Sequence, residues 1–355
     1  MRILIDINHP SHVHYFRNFY KLMVARGHNV YCVSRNKEME HKLLQLYNIP
    51  FLDRGKGKKG KVAKLIYLIY ADFMLLKIAR KLKIDLFLNF LHPYPSQVAK
   101  ILNKTSLVFS DTEHARLHHK LTVPFATKVF TPGCYKIDLG EKHIRFQGYM
   151  ELAYLHSNYY KPDPSIIEIL GIKDSEKFVI VRFVSWNATH DFGHSGMSLQ
   201  NKIKAVLELS RWAKVFISSE VELPGDLEEF RISIPFNKMH DALYYSSLLF
   251  GESGSMASEA AILGTPAIRI SFNQLGYLED QENRYGLVYN FGDSEREQEL
   301  AIERGLEIIK DKSAKKEYSD RSEKLRGDCI DTTEFMINEV MKYEENPSSY
   351  VKSLV

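Results

Sequence analysis

Short apolar runs alternate with amphipathic stretches along most of the chain. The first apolar run covers residues 3–7, and apolar side chains then recur at helical spacing over residues 13–23. A second apolar run follows at residues 29–34. This β–α–β order at the start of the chain predicts a parallel sheet.

The same alternation continues toward the end of the chain. Further strands are predicted at residues 49–52, 85–89, 106–109, 128–131, 178–184, 215–218, 248–250 and 267–270. Further helices are predicted at residues 36–48, 62–83, 95–102, 201–209, 239–245, 256–263, 299–309 and 335–343. Because ligands of such sheets bind at the carboxyl ends of the strands, we expect functional side chains in the loops that follow them.

The pattern changes near Gly148, which suggests a domain boundary. Residues 149–160 form a polar and aromatic connector, and Lys161-Pro162-Asp163-Pro164 ends it. A chain of 355 residues is also long for one core and suits two domains. We therefore predict an amino-terminal domain over residues 1–160 and a carboxyl-terminal domain over residues 161–343 that includes the last helix. Residues 344–355 are predicted to be a loose tail.

The stretch Phe250–Ile270 reads as a strand end, a glycine and serine loop, a short helix and another strand. Gly251 and Gly254 let the backbone approach a ligand closely, and a loop that opens a helix presents free N–H groups to phosphate. Glu259 lies one helical turn further on, where its carboxylate can accept the hydroxyl groups of a ribose. The alternative is an ordinary strand–turn–helix unit whose small residues serve packing alone.

Composition narrows the class of protein. Hydrophobic residues make up 45% and charged residues 26%, as in a soluble globular protein, and the net charge of +4 points to no particular partner. The three cysteines are far apart and show no metal spacing, which fits a reducing cytosol. The first residues lack the apolar core of a signal peptide, and no apolar run approaches the roughly 20 residues of a membrane helix.

The run Lys56–Lys61 is rich in glycine and lysine. It could contact a phosphate-bearing acceptor or an anionic membrane surface, and the alternative is a solvated loop. The amphipathic helix that follows, predicted at residues 62–83, could lie on a membrane interface or pack on the sheet with its broad apolar face. Nucleic-acid binding is disfavoured because the charge is mild and the basic run lacks interleaved aromatic residues.

Three stretches, Ile5–Phe16, Arg182–Asp191 and Gly251–Pro266, carry a resemblance to known proteins, and Ser110–Ala115 and Gly148–Leu155 add to it. Together they resemble the GT-B superfamily of nucleotide-sugar glycosyltransferases and UDP-N-acetylglucosamine 2-epimerases. The chain looks closest to an uncharacterised GT-B-like family of archaea and bacteria that is often encoded near polysaccharide genes. The resemblance implies an α/β fold with two Rossmann-like domains facing a central cleft.

The resemblance also implies where a nucleotide-sugar would bind. In GT-B enzymes the carboxyl-terminal domain holds the nucleotide, which places the diphosphate at Gly254, Ser255 and Met256 and the ribose at Glu259. Arg182 is expected to meet the diphosphate as well. The loop over residues 273–284 would contact the hydroxyl groups of the donor sugar through Gln274, Glu279 and Asn283. A UDP-sugar is the expected substrate by analogy with these relatives.

Transfer of a sugar needs a base for the acceptor hydroxyl, and two loops offer one. His12-Val13 matches a His-Val pair in the peptidoglycan N-acetylglucosaminyltransferase, although Asn8, Pro10 and Ser11 stand where that enzyme has glycines. His14 is a further candidate in this loop. Metal binding is not expected, because only His9 and His12 could pair and no carboxylate supports them.

The second loop is Asp111-Thr112-Glu113-His114. Glu113 matches an acidic residue that 2-epimerases carry in a similar loop, and Asp111 is the neighbouring candidate. The alternative is a turn that caps the next helix. His190 could act at the diphosphate, and the alternative there is a core tryptophan with a satisfied histidine beside it.

The sequence thus predicts a cytosolic glycosyltransferase that moves a sugar from a nucleotide-sugar to a polysaccharide or lipid-linked acceptor, with contact at the inner membrane face through Lys56–Lys61 as an option. A 2-epimerase-like enzyme is the second interpretation. A binding protein that keeps the nucleotide pocket but has no turnover is the third. No cofactor or catalytic metal is expected beside the nucleotide-sugar.

Overall fold

The computed structural model describes residues 1–35, 38–55, 61–184, 196–219 and 222–352. The chain divides into two compact units. Unit 1 comprises Met1–Tyr159 together with Cys329–Val355, and unit 2 comprises Tyr160–Asp328. Each unit is built on a parallel sheet with helices between most successive strands, which confirms the predicted α/β class with two Rossmann-like domains.

Strands and helices alternate along most of the chain. In chain order, the strands are β1 (Arg2–Ile7), β2 (Asn29–Ser34), β3 (Phe51–Asp53), β4 (Leu86–Phe90), β5 (Thr105–Phe109), β6 (Lys128–Pro132), β7 (His143–Phe146), β8 (Phe178–Arg182), β9 (Lys214–Ser218), β10 (Leu248–Gly251), β11 (Ala267–Ile270) and β12 (Val288–Phe291). The α-helices are α1 (Pro10–Ala25), α2 (Glu38–Leu46), α3 (Lys61–Leu82), α4 (Pro93–Ile101), α5 (Arg116–Thr122), α6 (Leu152–Leu155), α7 (Ser165–Ile169), α8 (Leu199–Ser210), α9 (Met239–Tyr245), α10 (Gly254–Ile262), α11 (Gly276–Asn283), α12 (Glu295–Lys310), α13 (Ala314–Asp328), α14 (Thr332–Glu345) and α15 (Pro347–Lys352). Short 3₁₀ turns occur at Val123–Phe125, Gly225–Phe230 and Phe236–Lys238.

The sheet of unit 1 has the strand order β3-β2-β1-β4-β5-β6-β7 over the described residues, and all its pairs are parallel. Its central strands β1 and β4 are mostly apolar and, apart from Arg2, buried, as expected for a sheet covered on both faces. Helix α3 packs on this core through one face that includes Ala71 and Leu75. Its other face exposes Ile69, Tyr70 and Phe73. The prediction that this helix packs on the sheet is therefore confirmed.

The sheet of unit 2 has the order β12-β11-β10-β8-β9 among the described residues and is likewise parallel. Strand β10 lies in the middle, and its last residue Gly251 is in register with Arg182 on one neighbouring strand and Arg269 on the other. The carboxyl end of the central strand therefore lies between two arginine positions.

The end of the chain departs from the sequence prediction, which placed the last helix in the carboxyl-terminal domain. Helix α14 belongs to unit 1, where the hydroxyl of Thr332 donates to the carbonyl of Tyr149 at 2.8 Å and that of Thr333 donates to Ala153 at 2.7 Å. The apolar face of α14 predicts the helix but not the sheet that it covers, because that choice depends on long-range contacts.

The predicted loose tail is also corrected. Residues 347–352 form α15, and the buried hydroxyl of Tyr350 donates to Glu339 at 2.8 Å. This hydrogen bond between Tyr350 and Glu339 attaches α15 to α14. Across the described residues, no helix has both the length and the apolar character that crossing a bilayer requires.

Candidate functional site

The glycine and serine loop of unit 2 follows the central strand β10. Gly251 has a φ of +153°, and a Cβ atom at this position would lie 1.9 Å from the carbonyl oxygen of Arg182, so only glycine fits. Ser253 caps α10 by accepting a hydrogen bond from the amide of Met256 at 3.4 Å. The first-turn N–H groups of an α-helix have no carbonyl partner within the helix and are open to a ligand. This is the arrangement that the sequence predicted for a phosphate-binding loop.

Gly254, the first residue of α10, is packed tightly against the start of α11. A Cβ atom there would lie 2.9 Å from Leu275 Cδ1 and 3.2 Å from the hydroxyl of Tyr277. Ser255 and Met256, which complete the predicted diphosphate contact, are half-buried beside it. The two helices therefore meet at the point where the phosphate is expected.

Glu252, which sequence reasoning did not single out, fixes the strand that leads into this site. Its buried carboxylate accepts hydrogen bonds from the backbone amides of Val184 at 2.8 Å and Met197 at 2.7 Å, and it forms an ion pair with Lys202 at 3.2 Å. These bonds hold the chain on both sides of residues 185–195. His190, a predicted catalytic residue, falls in that segment and lies outside the described residues. The signal for Glu252 in the sequence was an acidic residue between Gly251 and Ser253 of the loop.

Glu259 lies in the second turn of α10 and is largely buried. Its Oε1 atom is 3.1 Å from Nε2 of His240 on α9, a partner that the sequence did not suggest. The ribose contact stays a prediction, and a ribose would have to share this carboxylate with the imidazole.

The loop after β11 carries the predicted sugar contacts. Gln274 is exposed, and Glu279 is half-buried in the first turn of α11. Arg182 ends β8 and donates to the hydroxyl of Ser218 at 3.3 Å. Arg269, which sequence reasoning missed, occupies the equivalent position on the other side of β10. A charged residue inside the apolar strand Ala267–Ile270 was the signal for it.

A second group of polar side chains lies at the carboxyl edge of the unit 1 sheet. Tyr15 on α1 donates a hydrogen bond to Asp111 Oδ2 at 3.4 Å, and its ring stacks on that of His12 at 6.3 Å. The structure therefore brings His12 and Asp111, predicted from separate loops, to two sides of one tyrosine. Glu113 is buried two residues further along the same loop.

His12 is buried against Phe90, with 5.0 Å between the ring centroids. Its Nδ1 atom accepts a hydrogen bond from the backbone amide of Asn8 at 3.3 Å. Because a backbone N–H can only donate, the proton of the neutral imidazole resides on Nε2. In this arrangement the neutral His12 offers a hydrogen-bond donor at Nε2, and its role as the base stays a prediction.

The pKa of the Asp111 carboxyl suits a general base at neutral pH. Burial raises the pKa of its carboxyl to about 6, the hydrogen bond from the Thr112 hydroxyl at 2.8 Å opposes this rise, and the charge of Glu113 adds to it. A carboxylate with a pKa near 6 is ionised at pH 7 and still accepts a proton readily.

Two further features of unit 1 were missed by sequence reasoning. The first is a fully buried ion pair between Asp6 and Arg54 at 3.2 Å. The side chain of Asn8 forms hydrogen bonds with both residues, so the ion pair fixes the loop after β1. In the sequence Arg54 reads as the start of the basic loop. The polar residue inside the strand Ile3–Ile7 was the signal for its partner.

The second feature is His92, the residue at the amino-terminal cap of α4. The residue before it, Leu91, has a φ of +38°, which is strained for a side chain of that size. The ring of His92 lies 5.6 Å from that of His118. Burial holds the pKa of His92 well below its usual range, and the nearby charge of Arg54 adds to the effect. His92 is therefore a neutral imidazole at this edge of the sheet.

Neither group of polar residues forms a metal centre. In the part of the chain that the structure describes, no three His, Cys, Asp or Glu side chains are grouped so that they could hold an ion.

Similar proteins share the fold. A UDP-GlcNAc 2-epimerase of Neisseria meningitidis, solved with bound UDP-GlcNAc, matches 96% of this chain and 100% of its own with a TM-score of 0.68 and 14% identity. The spinosyn rhamnosyltransferase SpnG, solved with spinosyn aglycone, matches 96% of this chain and 100% of its own with a TM-score of 0.62 and 14% identity. At such identities the likeness establishes the GT-B fold.

Sequence comparison adds a relative and a family. An uncharacterised protein of Methanocaldococcus jannaschii is 27% identical over 279 residues, which cover 75% of this chain and 80% of that protein. A family model described as "Protein of unknown function (DUF354)" matches residues 1–343.

Proposed function

Because the chain belongs to the DUF354 family, whose function is unknown, we propose its activity from the chemistry of its own side chains. The proposal is a glycosyltransferase that moves a sugar from a nucleotide-sugar donor to a glycan or lipid-linked acceptor. The carrying observation is the loop of unit 2, where a glycine that no other residue can replace leads into the capped amino terminus of α10.

The loop supports diphosphate binding on physical grounds. The first-turn N–H groups of α10 and the helix dipole favour an anion, and Arg182 ends the neighbouring strand. Glu259 would take the ribose and Gln274 or Glu279 the sugar. The 2-epimerase structure holds UDP-GlcNAc and SpnG was also solved with thymidine diphosphate, which supports a nucleotide-sugar here without fixing the base.

The transfer step assigns different roles to the polar groups of unit 1. Asp111 or Glu113 takes the proton of the acceptor hydroxyl, and the acceptor oxygen forms its bond to the anomeric carbon as the bond to the diphosphate oxygen breaks. The electron pair of that bond goes to the diphosphate, whose charge is stabilised by the α10 N–H groups. His12, protonated at Nε2, orients the acceptor by donating a hydrogen bond.

An epimerase is the second candidate, since two carboxyl groups in one loop could serve as acid and base on the same sugar. The raised pKa of Asp111 beside Glu113 favours this division of roles. A binding protein without turnover is the third candidate, and it predicts that replacing these carboxylates has no chemical consequence.

The acceptor side offers a surface for a lipid-linked substrate. Ile69, Tyr70 and Phe73 are exposed by 65%, 46% and 64% on one helix, and Lys77 is exposed one turn beyond Phe73. The basic run Lys56–Lys61 precedes this helix, and residues 56–60 of it lie outside the described residues. We extend the proposal to peripheral contact with an anionic bilayer through this face.

Thermal shift with nucleoside diphosphates and their sugars, followed by product analysis without an acceptor, tests the function. Saturating ligand at about 100 times Kd stabilises the folded state by about 2.7 kcal/mol. A shift with a UDP-sugar that is recovered unchanged supports the transferase, and a new sugar isomer supports the epimerase.

Variants separate the pocket from the chemistry. Glu259→Ala should reduce nucleotide affinity, whereas Glu299→Ala, on the exposed face of α12, should not. Asp111→Asn and Glu113→Gln should abolish turnover but leave the shift. If no nucleotide stabilises the wild-type protein, the proposal fails.

A further inference from the structure

Arg269 is a buried cation at the carboxyl edge of the unit 2 sheet. It is 4% exposed on β11, in register with Gly251 of the phosphate loop and with Asn290 of β12. Positions that are in register on neighbouring parallel strands project to the same face of a sheet. Arg269 therefore shares a face with the residue that begins the loop.

Few polar groups of the protein offset the positive charge of the Arg269 guanidinium. Its Nη1 atom donates to the amide oxygen of Asn290 at 3.3 Å, and its buried Nε atom has no hydrogen-bond partner among the described residues. No carboxylate of the described chain forms an ion pair with it. Glu282 is the acid behind this contact, but it accepts from the Asn290 amide nitrogen at 2.8 Å and not from the arginine.

A buried charge without an ionic partner is costly, so it needs an explanation. Burial lowers the pKa of Arg269, and the side chain of Tyr277 opposes this shift, which places Tyr277 within electrostatic range. The hydroxyl of Tyr277 in turn lies against Gly254, the first residue of α10. Tyr277 is thus near both the uncompensated cation and the first residue of α10, whose amino terminus favours an anion.

We propose that Arg269 provides the positive charge for an oxyanion at the amino terminus of α10, and that the oxyanion is the diphosphate of the nucleotide-sugar. The identity of the ligand rests on the proposed function, whereas the anion site itself rests on the buried guanidinium. Because the charge lies in a region of low dielectric, it attracts a phosphate without a direct bond to it. Arg269 is therefore a positioning residue for the leaving group.

Affinity for a series of ligands tests this role in the full-length protein. Calorimetry with uridine, UMP and UDP, and with inorganic pyrophosphate, separates the contribution of the phosphates from that of the base. Arg269→Met should weaken UDP and pyrophosphate by tenfold or more and leave uridine unchanged, because it removes the buried positive charge that attracts the phosphates. Arg269→Lys keeps the charge but loses the planar guanidinium that donates to Asn290, so an intermediate loss is expected.

Arg211→Met is the matched control, because Arg211 is an exposed arginine at the end of α8, outside the candidate site. It should leave all four affinities unchanged. Circular dichroism tests whether each variant is folded. If Arg269→Met is not folded, the ligand affinities of Arg269→Lys test the proposal.

The outcomes separate the two proposals. If UDP binds the wild type and both Arg269 variants with the same affinity, the role of Arg269 is overturned and the nucleotide site stands. Pyrophosphate binding that depends on Arg269, without binding of any nucleotide, supports the anion site and overturns the nucleotide assignment. Absence of binding by both pyrophosphate and nucleotides overturns both.

Discussion

Lys202 and Glu252 form a buried ion pair, with 3.2 Å between Nζ and Oε1 and less than a tenth of either side chain exposed. The pair joins the first turn of α8 to Glu252, which lies within the phosphate loop between Gly251 and Ser253. Two backbone amides also bind the carboxylate, so removing its charge would leave several donors unsatisfied.

Lys202→Met should destabilise unit 2 by about 3 kcal/mol, because it leaves Glu252 as an uncompensated buried charge. Lys204→Met is the matched control on the same helix, where the pair with Glu299 is half exposed and the loss should stay below about 1 kcal/mol. Both tryptophans of the chain fall within the range of unit 2, so their fluorescence in urea follows its unfolding. Equal midpoints for the two variants would contradict the assignment.

Gly251 is the position where the fold of the loop depends most on the absence of a side chain. Gly251→Ala places a Cβ atom 1.9 Å from a carbonyl oxygen of the paired strand, so the strands must separate. We expect a loss of about 3 kcal/mol or more in the stability of unit 2 and loss of nucleotide binding.

The same substitution at Gly327 is the control. A Cβ atom at that position in α13 meets nothing within 4 Å, and alanine should stabilise the helix by up to about 1 kcal/mol. Similar urea midpoints for the two alanine variants would show that β10 and β8 are not packed as described.

The stretch Phe250–Ile270 shows what local sequence signals can predict. Its strand, loop, helix and second strand all follow from glycines, loop serines and short apolar runs, and the structure places them within two residues of the expected bounds. These signals act between residues close in the sequence. The bonds of Glu252 join it to residues 184 and 197, and no local pattern records such a partner.

The catalytic candidates show the same division. The loops that carry His12 and Asp111 are predictable because polar residues follow apolar strands. The role of His12 is not, because its protonation depends on one backbone amide, and the pKa of Asp111 depends on burial. Arg269 and His240 escape notice because each lies in a segment that reads as ordinary strand or helix.

The raised pKa of Asp111 predicts how stability changes with pH. Since the folded-state value of about 6 is above the ordinary value of 3.8, the carboxyl binds protons more tightly when folded. Its stabilising effect is full below about pH 4 and is lost as the pH rises through 6. Asp111→Asn should therefore be more stable than the wild type at pH 7.5, by about 1–3 kcal/mol, and the difference should shrink at pH 4.5.

Thermal unfolding at several pH values measures this effect. Asp138→Asn should behave in the opposite sense, because hydrogen bonds from Gly140 and His143 lower the pKa of that exposed carboxyl. A difference between Asp111→Asn and the wild type that does not depend on pH would contradict the raised value.

The position of α14 predicts how the chain can be divided. Phe335 lies against three phenylalanines of the unit 1 sheet, with ring centroids 6.4 Å from Phe109, 5.5 Å from Phe130 and 5.1 Å from Phe146. A fragment of residues 1–159 uncovers these rings, which are almost fully buried in the whole chain. It should therefore aggregate or lack a cooperative unfolding transition, whereas a fragment of residues 160–328 should fold alone.

Adding a peptide of residues 329–352 to the first fragment should restore its fold, because the peptide carries both the aromatic contact and the bonds of Thr332 and Thr333. In the whole chain, Phe335→Ala should cost unit 1 about 2–3 kcal/mol, and the loss should not reach unit 2. Circular dichroism follows the helices of both units, whereas tryptophan fluorescence follows unit 2 alone, so the two signals should separate in this variant. A cooperative transition for residues 1–159 alone would place α14 outside the core of unit 1, and the domain boundary predicted from the sequence would stand.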